Sequence, residues 1–210
     1  MAKKDELAAK IVEEEWKIFS SVPNIGGKAY CQDDYNTFEI NRSSQVMNWS
    51  PETMESYLQD LAVAEKEERN LMTEKYARMM KSTSPAEYAA IEHHLHTVDN
   101  ESLSVIDNIV SIVLAWEDDL AKKYPNVLKK GRPLYSSGDS KYVTSLETYL
   151  RGELATYSLR TLKLYYDDIA KQQTGNINGS EIIMDTMMKR FGYSSLHDAN
   201  EKIKHSSQSK

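Results

Sequence analysis

Residues 144–166, TSLETYLRGELATYSLRTLKLYY, are the stretch on which the fold turns. Leu146, Leu150, Leu154 and Tyr157 recur at spacings of three and four, the period of an amphipathic helix that buries one stripe. On a neighbouring face Glu147 and Arg151 stand one turn apart with Tyr149 between them. Gly152 sits mid-helix, where it costs about 1 kcal/mol relative to alanine. A helix that carries such a glycine is compensated by the close approach of another backbone or of a ligand, and the sequence leaves both open.

Outward from this stretch the helical pattern repeats. Residues 5–20 place Leu7, Ile11, Val12, Trp16 and Phe19 on one stripe, with Glu13, Glu14 and Glu15 mostly opposite, and Pro23 ends the helix. Gly26 and Gly27 mark a tightly bent loop over 24–34, and a second helix is predicted over 34–49. Ser50 and Pro51 are the cap and first turn of the longest predicted helix, running to about Lys81. The run EKEER at 65–69 within it reads as a solvated face. Ser84 and Pro85 open a short helix over 85–95. Asp99 or Asn100 caps a strongly apolar, central helix that closes at Tyr124 and Pro125. Segment 125–143, rich in Gly, Pro and Ser and without periodicity, has the length of a functional loop and is a candidate lid. Past the turn GNINGS at 175–180, short helices are predicted over 181–191 and 196–203. No run alternates as a strand would. The expected fold is all-α: a compact single-domain bundle of about eight helices over 1–204, with a disordered tail at 205–210.

A chain of 210 residues buries a sizeable core without disulfides or metals. Its net charge of −6, with 32 acidic and 26 basic residues dispersed along it, lacks the electrostatic footprint of a nucleic-acid binder. Cys31 is the one cysteine, which excludes an intrachain disulfide and a cysteine-based zinc cluster and suits a reducing compartment. The opening MAKKDELAAKIVEEEW is charged where a signal peptide is apolar, and no run has the length of a membrane span. A cytoplasmic protein with neither nucleic-acid nor membrane partner is expected.

The sharpest internal signal is an echo: Glu74, Tyr76 and Arg78 repeat the E-x-Y-x-R pattern of Glu147, Tyr149 and Arg151. Each carboxylate precedes its guanidinium by four residues, the orientation of a same-face ion pair. Taken singly these are ordinary surface pairs. Both, however, lie among apolar residues that draw their helices inward, and a buried arginine requires a partner. Two such helices facing each other present guanidiniums to a carboxylate or phosphate. In the 30–34 loop, Asp33 and Asp34 read first as caps at a helix start. The alternative is that one of them is a general base, or binds a divalent ion such as Mg²⁺ with Glu74 or Glu147. Arg42 and Gln45 follow on the next helix. Cys31 has no visible base and reads as buried or merely tolerated. His93, His94 and His96 cannot converge from one helix, so no metal site is assigned to them. Phosphate-loop, zincin and hydrolase motifs are missing.

NIGGKAYCQDDYNTFEINRSSQ, RNLMTEKYARMM, GRPLYSSGDS, TSLETYLRGELATYS and FGYSSL together resemble the segments of a bacterial domain-of-unknown-function family, number 4125. The likeness runs from roughly the first helix to the last and includes the loop Gly26 to Asp34, the helix segment Glu74 to Met80, and Glu147 to Leu154. The resemblance implies no activity. It implies at most a link to nucleotide or small-metabolite chemistry, through members that occur beside or joined to a nucleotidyltransferase-like domain. The resulting expectation is a small-molecule-binding protein or enzyme acting by hydrolysis or group transfer. In it Arg42, Arg78, Arg151 and Gln45 hold an anionic metabolite, Tyr76 and Tyr149 orient it, and Asp33, Asp34, Glu74 or Glu147 handle protons or the divalent ion. The rival expectation is a non-catalytic helical module packed against a nucleotidyltransferase-like partner.

Overall fold

Side-chain caps decide where the helices begin. Asp34, Ser50, Asn70, Asp99, Ser145, Ser158 and Asn178 each accept a hydrogen bond from the backbone N–H three residues on. Each thereby occupies a donor that the first helical turn leaves without a partner. The computed structural model describes residues 3–23, 27–129 and 131–208. Among these residues lie eleven α-helices and no strand. They are α1 (Lys3–Ser20), α2 (Tyr35–Val46), α3 (Pro51–Lys66), α4 (Leu71–Thr83), α5 (Pro85–Ile91) and α6 (Asn100–Lys123). The rest are α7 (Pro125–Leu128), α8 (Leu146–Leu154), α9 (Leu159–Thr174), α10 (Gly179–Arg190) and α11 (Leu196–Gln208). The helical class is as expected, and the count exceeds eight because two long helices are broken and the short α7 is added.

The first break divides the helix expected to reach Lys81. Glu68 adopts the left-handed conformation at φ 56°. Arg69 N–H donates to Ala64 C=O (2.8 Å) and Glu68 N–H to Glu65 C=O (3.0 Å), the paired bonds of a Schellman ending. Asn70 then starts α4. The residue in the left-handed position is a glutamate, so the glycine that usually announces such an ending is lacking. The second break falls inside 144–166: α8 ends at Leu154, and Ser158 caps α9 while its N–H donates to Asp60 (3.0 Å). At the C-terminus α11 continues to Gln208, past the predicted end at 203 and into the segment expected to be a tail. The expected bend at Gly26 lies outside the described residues, whereas Gly27 has φ 103°.

Helix α6 is central, as its composition predicts. Ile106, Ile109, Val110, Leu114 and Trp116 join Ile11, Met54, Tyr57, Leu154, Leu162 and Ile169 in one buried core. It packs against α8, α9 and α10, while α4 lies along α8. The α4–α8 approach answers the question posed by Gly152. A Cβ there would stand 3.0 Å from the Lys75 carbonyl oxygen and 3.2 Å from Met79 Cγ. The compensation is therefore a neighbouring backbone. Segment 125–143 is tied to the start of α8, with Leu146 N–H donating to Pro133 C=O (2.8 Å) and Glu147 N–H to Leu134 C=O (3.1 Å). No helix among the described residues is long and apolar enough to cross a membrane.

Candidate functional site

Two acids and two bases meet inside the bundle. Glu15 of α1 and Arg42 of α2 are buried, as is Lys75 of α4, and Glu153 of α8 lies between the two cations. Arg42 engages all its donors. Nε and Nη2 bond the two oxygens of Glu15, Nη2 also reaches Tyr157 Oη (3.2 Å), and Nη1 donates to Gln45 Oε1 (2.8 Å) and Glu153 Oε1 (2.9 Å). Lys75 Nζ donates to Glu153 Oε2 (2.7 Å) and stands 3.5 Å from the centre of the Tyr149 ring. Tyr57 donates to Glu15 (2.6 Å) and Tyr157 to Glu153 (2.8 Å). Burial opposes ionisation of Glu153, yet the charges of Lys75 and Arg42 outweigh it and hold the carboxyl down to about 2. Burial raises the Tyr57 and Tyr157 phenols well above their ordinary range. The four charges are neutral as a set, which is what permits them indoors.

One wall of a cavity of about 480 Å³ is built on this cluster. Helix α2 contributes Arg42 and Gln45, α8 contributes Tyr149 and Glu153, and Tyr157 follows. The opposite wall is apolar and comes from Trp116 of α6 and from Ile183, Met184 and Met187 of α10. Leu128, Gly131, Arg132 and Leu134 close one side, so the segment expected to be a lid forms part of the wall. Gly179 lets α10 start close to α6, since a Cβ there would stand 2.8 Å from the Trp116 ring. Glu117, one residue beyond Trp116, also lines the cavity and makes no ion pair among the described residues. Burial raises its carboxyl above the ordinary value, against the pull of a hydrogen bond from Ser180. Arg132 is exposed at the mouth, 4.9 Å from the Tyr149 ring centre. The volume and the mainly apolar lining with a few polar groups suit a small organic molecule.

The residues singled out in the sequence divide among several places. Arg42, Gln45 and Tyr149 line the central cavity, whereas Arg78 and Arg151 line a second one. Tyr76 lines neither, and burial pushes its phenol up to about 12. The four proposed catalytic carboxylates do not come together. Asp33 is exposed and paired with Lys28, and Asp34 is the exposed α2 cap. Glu74 pairs with Arg69 of the preceding turn (2.7 and 3.0 Å) instead of Arg78, because the Schellman ending of α3 brings Arg69 round to it. Glu147 forms the expected i,i+4 bond with Arg151 (3.1 Å) and accepts from Ser136 N–H (2.9 Å). Among the described residues no three His, Cys, Asp or Glu side chains are grouped as a metal site. In the same loop Gln32 is buried and pins the chain to the end of α1 through Phe19 C=O (2.8 Å) and Val22 C=O (2.9 Å), while Cys31 is a free, exposed thiol.

Glu15, Lys75, Glu153 and Glu117 were not anticipated, yet three of them carried a signal. Lys75 lies midway between Leu71 and Met79, Glu15 follows Ile11 and Val12 at four and three, and Glu153 follows Tyr149 and Leu150 likewise. Each is a charge on an apolar stripe, and a buried charge must be paired. Glu117 stands out only once α10 is seen against it.

A family model described as a protein of unknown function (DUF4125) matches residues 5–201. No curated protein and no solved structure matches the chain.

Proposed function

We propose, from the premise that the chain belongs to the DUF4125 family and inherits no activity from it, that it is a small-molecule-binding protein whose ligand occupies the central cavity. The observation that carries the reading is Glu117: a carboxylate without an ion pair among the described residues, in a cavity whose other inner charges are already matched. Arg42 engages every donor it has, so a bound anion would compete with Glu15 and Glu153 for it. A ligand with an apolar body and a basic amine fits better. The body lies against Trp116, Ile183 and Met187, and the ammonium lies beside Glu117, where the pair costs less than the isolated carboxylate. With its raised carboxyl, Glu117 is also the group suited to exchange a proton with the ligand. The exposed Cys31 thiol suits a reducing compartment, and we take the protein to be cytoplasmic.

The test is thermal unfolding with arylalkylamines and with carboxylates and alcohols of matched shape. A ligand at one hundred times its Kd contributes about 2.7 kcal/mol, which for a chain of this size raises the Tm by about 5–10 °C. The amines should give that rise in the native chain and much less in Glu117→Gln. Equal rises for amines and carboxylates, or a rise unchanged in Glu117→Gln, would refute the reading.

A further inference from the structure

The second cavity, about 460 Å³, lies between α4, the 92–98 stretch, α6 and α8, on the far side of Gly152 from the charge cluster. Three cations line it: Arg78 and Lys81 from α4 and Arg151 from α8. Its one lining carboxylate is Glu92, exposed and without an ion pair among the described residues.

Arg78 is the anomaly. Its Nε is shut off from water and has no hydrogen-bond partner. Among the described residues the guanidinium makes one bond, from Nη2 to His96 C=O, and no ion pair. The carboxylate one turn before it, Glu74, is held by both ends of Arg69. Burial accordingly disfavours the Arg78 charge. The residue is half-buried: Nε is sealed inside, while the outer nitrogens face the cavity, where a partner from outside the chain would offset the burial of the charge. Arg151 faces the same space half engaged, with Nε on Glu147 (3.1 Å) and Nη1 on Asp107 (2.6 Å). That leaves Nη1 of Arg78 and Nη2 of Arg151 without hydrogen bonds among the described residues. Lys81 is exposed and makes no ion pair there either. Leu95, Leu103 and Ile106 supply an apolar floor.

We infer that this cavity is a second binding site, for a phosphorylated small molecule whose phosphate oxygens accept from Arg78 and Arg151 while its body lies on Leu95, Leu103 and Ile106. Arg151 already meets Glu147 and Asp107 and offers only its free Nη2, so the unmatched charge is that of Arg78 and Lys81, two cations against the one lining carboxylate; this favours an anion, and planar guanidiniums match phosphate oxygens. Lys81, at the rim, adds attraction that salt screens.

Calorimetric titration of the full chain with phenyl phosphate, inorganic phosphate and benzoate tests this. Phenyl phosphate should bind at least tenfold tighter than either other probe, weakening as salt rises. Arg78→Met, which removes one bond to His96 C=O together with the unmatched Nε, should lose binding by more than tenfold while still unfolding in a single cooperative transition. Lys81→Gln, which breaks no contact in the fold, should weaken binding about threefold and flatten its salt dependence. Failure of phenyl phosphate to bind at millimolar concentration, binding undiminished in Arg78→Met, or an equal loss of binding for benzoate and phenyl phosphate in that variant would each overturn the assignment.

Discussion

Replacing Glu153 by Gln removes one charge from the four-charge cluster and keeps the shape. Lys75, 3% exposed, then loses its carboxylate and retains only the Tyr149 ring, while Arg42 retains Glu15. The fall of Glu153 from its ordinary 4.5 to about 2 corresponds to about 3 kcal/mol of differential interaction. Stranding one partner of a buried pair costs a similar 3–5 kcal/mol or so. Urea unfolding at pH 7 should show Glu153→Gln destabilised by about 3 kcal/mol, near 10 °C in Tm for a chain of this length. The sign with pH follows from the lowered value. The folded state binds fewer protons than the unfolded one between about pH 4.5 and 2, so this stabilisation is complete above the upper bound and lost towards the lower. The gap between native and variant should therefore close as the pH falls through that window. Lys75→Met tests the pairing separately: combined with Glu153→Gln it should cost at least 1 kcal/mol or so less than the two changes added. A single variant within about 0.5 kcal/mol of the native chain at pH 7, or strict additivity, would show that the cluster is not the linchpin described.

Glu117→Gln should raise the Tm at pH 8, because burial disfavours the ionised carboxyl, whose cost begins above the ordinary carboxyl value of 4.5 and is complete once the pH has risen through the raised one; the gain should shrink in melting scans as the pH is lowered towards 4. Gly152→Ala gains about 1 kcal/mol of helix propensity but forces a methyl against the Lys75 carbonyl oxygen at 3.0 Å. Overpacking costs of about 1–3 kcal/mol make a net loss of roughly 1 kcal/mol the expectation, and a more stable variant in urea would contradict the close approach.

The helical class, the central α6 and most helix starts were legible because periodicity and capping chemistry are local. The break at Glu68 was not, since a glutamate in a left-handed turn gives no local sign and the turn's stability comes from backbone bonds to Ala64 and Glu65. The E-x-Y-x-R echo led to the right helix pair and to Arg78 and Arg151 in one cavity. It misassigned the internal partner of Glu74, because a nearby turn offered Arg69 in better geometry. The most consequential charges were harder to see: Glu15 belongs to a run of three glutamates that reads as the solvated face, and Lys75 is an unassigned position of the E-x-Y-x-R echo, although the spacing of each from apolar residues puts it on the buried stripe. Glu117 depends on α10 arriving from more than fifty residues away in sequence, which no periodicity encodes.

Because Glu15, Arg42, Lys75 and Glu153 balance only together, sequence drift at these positions is not free to proceed one letter at a time. A descendant that loses Lys75 first carries an acid with too little counter-charge, and one that loses Glu153 first carries a stranded ammonium; either intermediate sits lower on the stability slope than its ancestor, and the second change then costs less than it would have cost alone. The cluster thus acts as a ratchet on heredity, holding four scattered codons to a common fate.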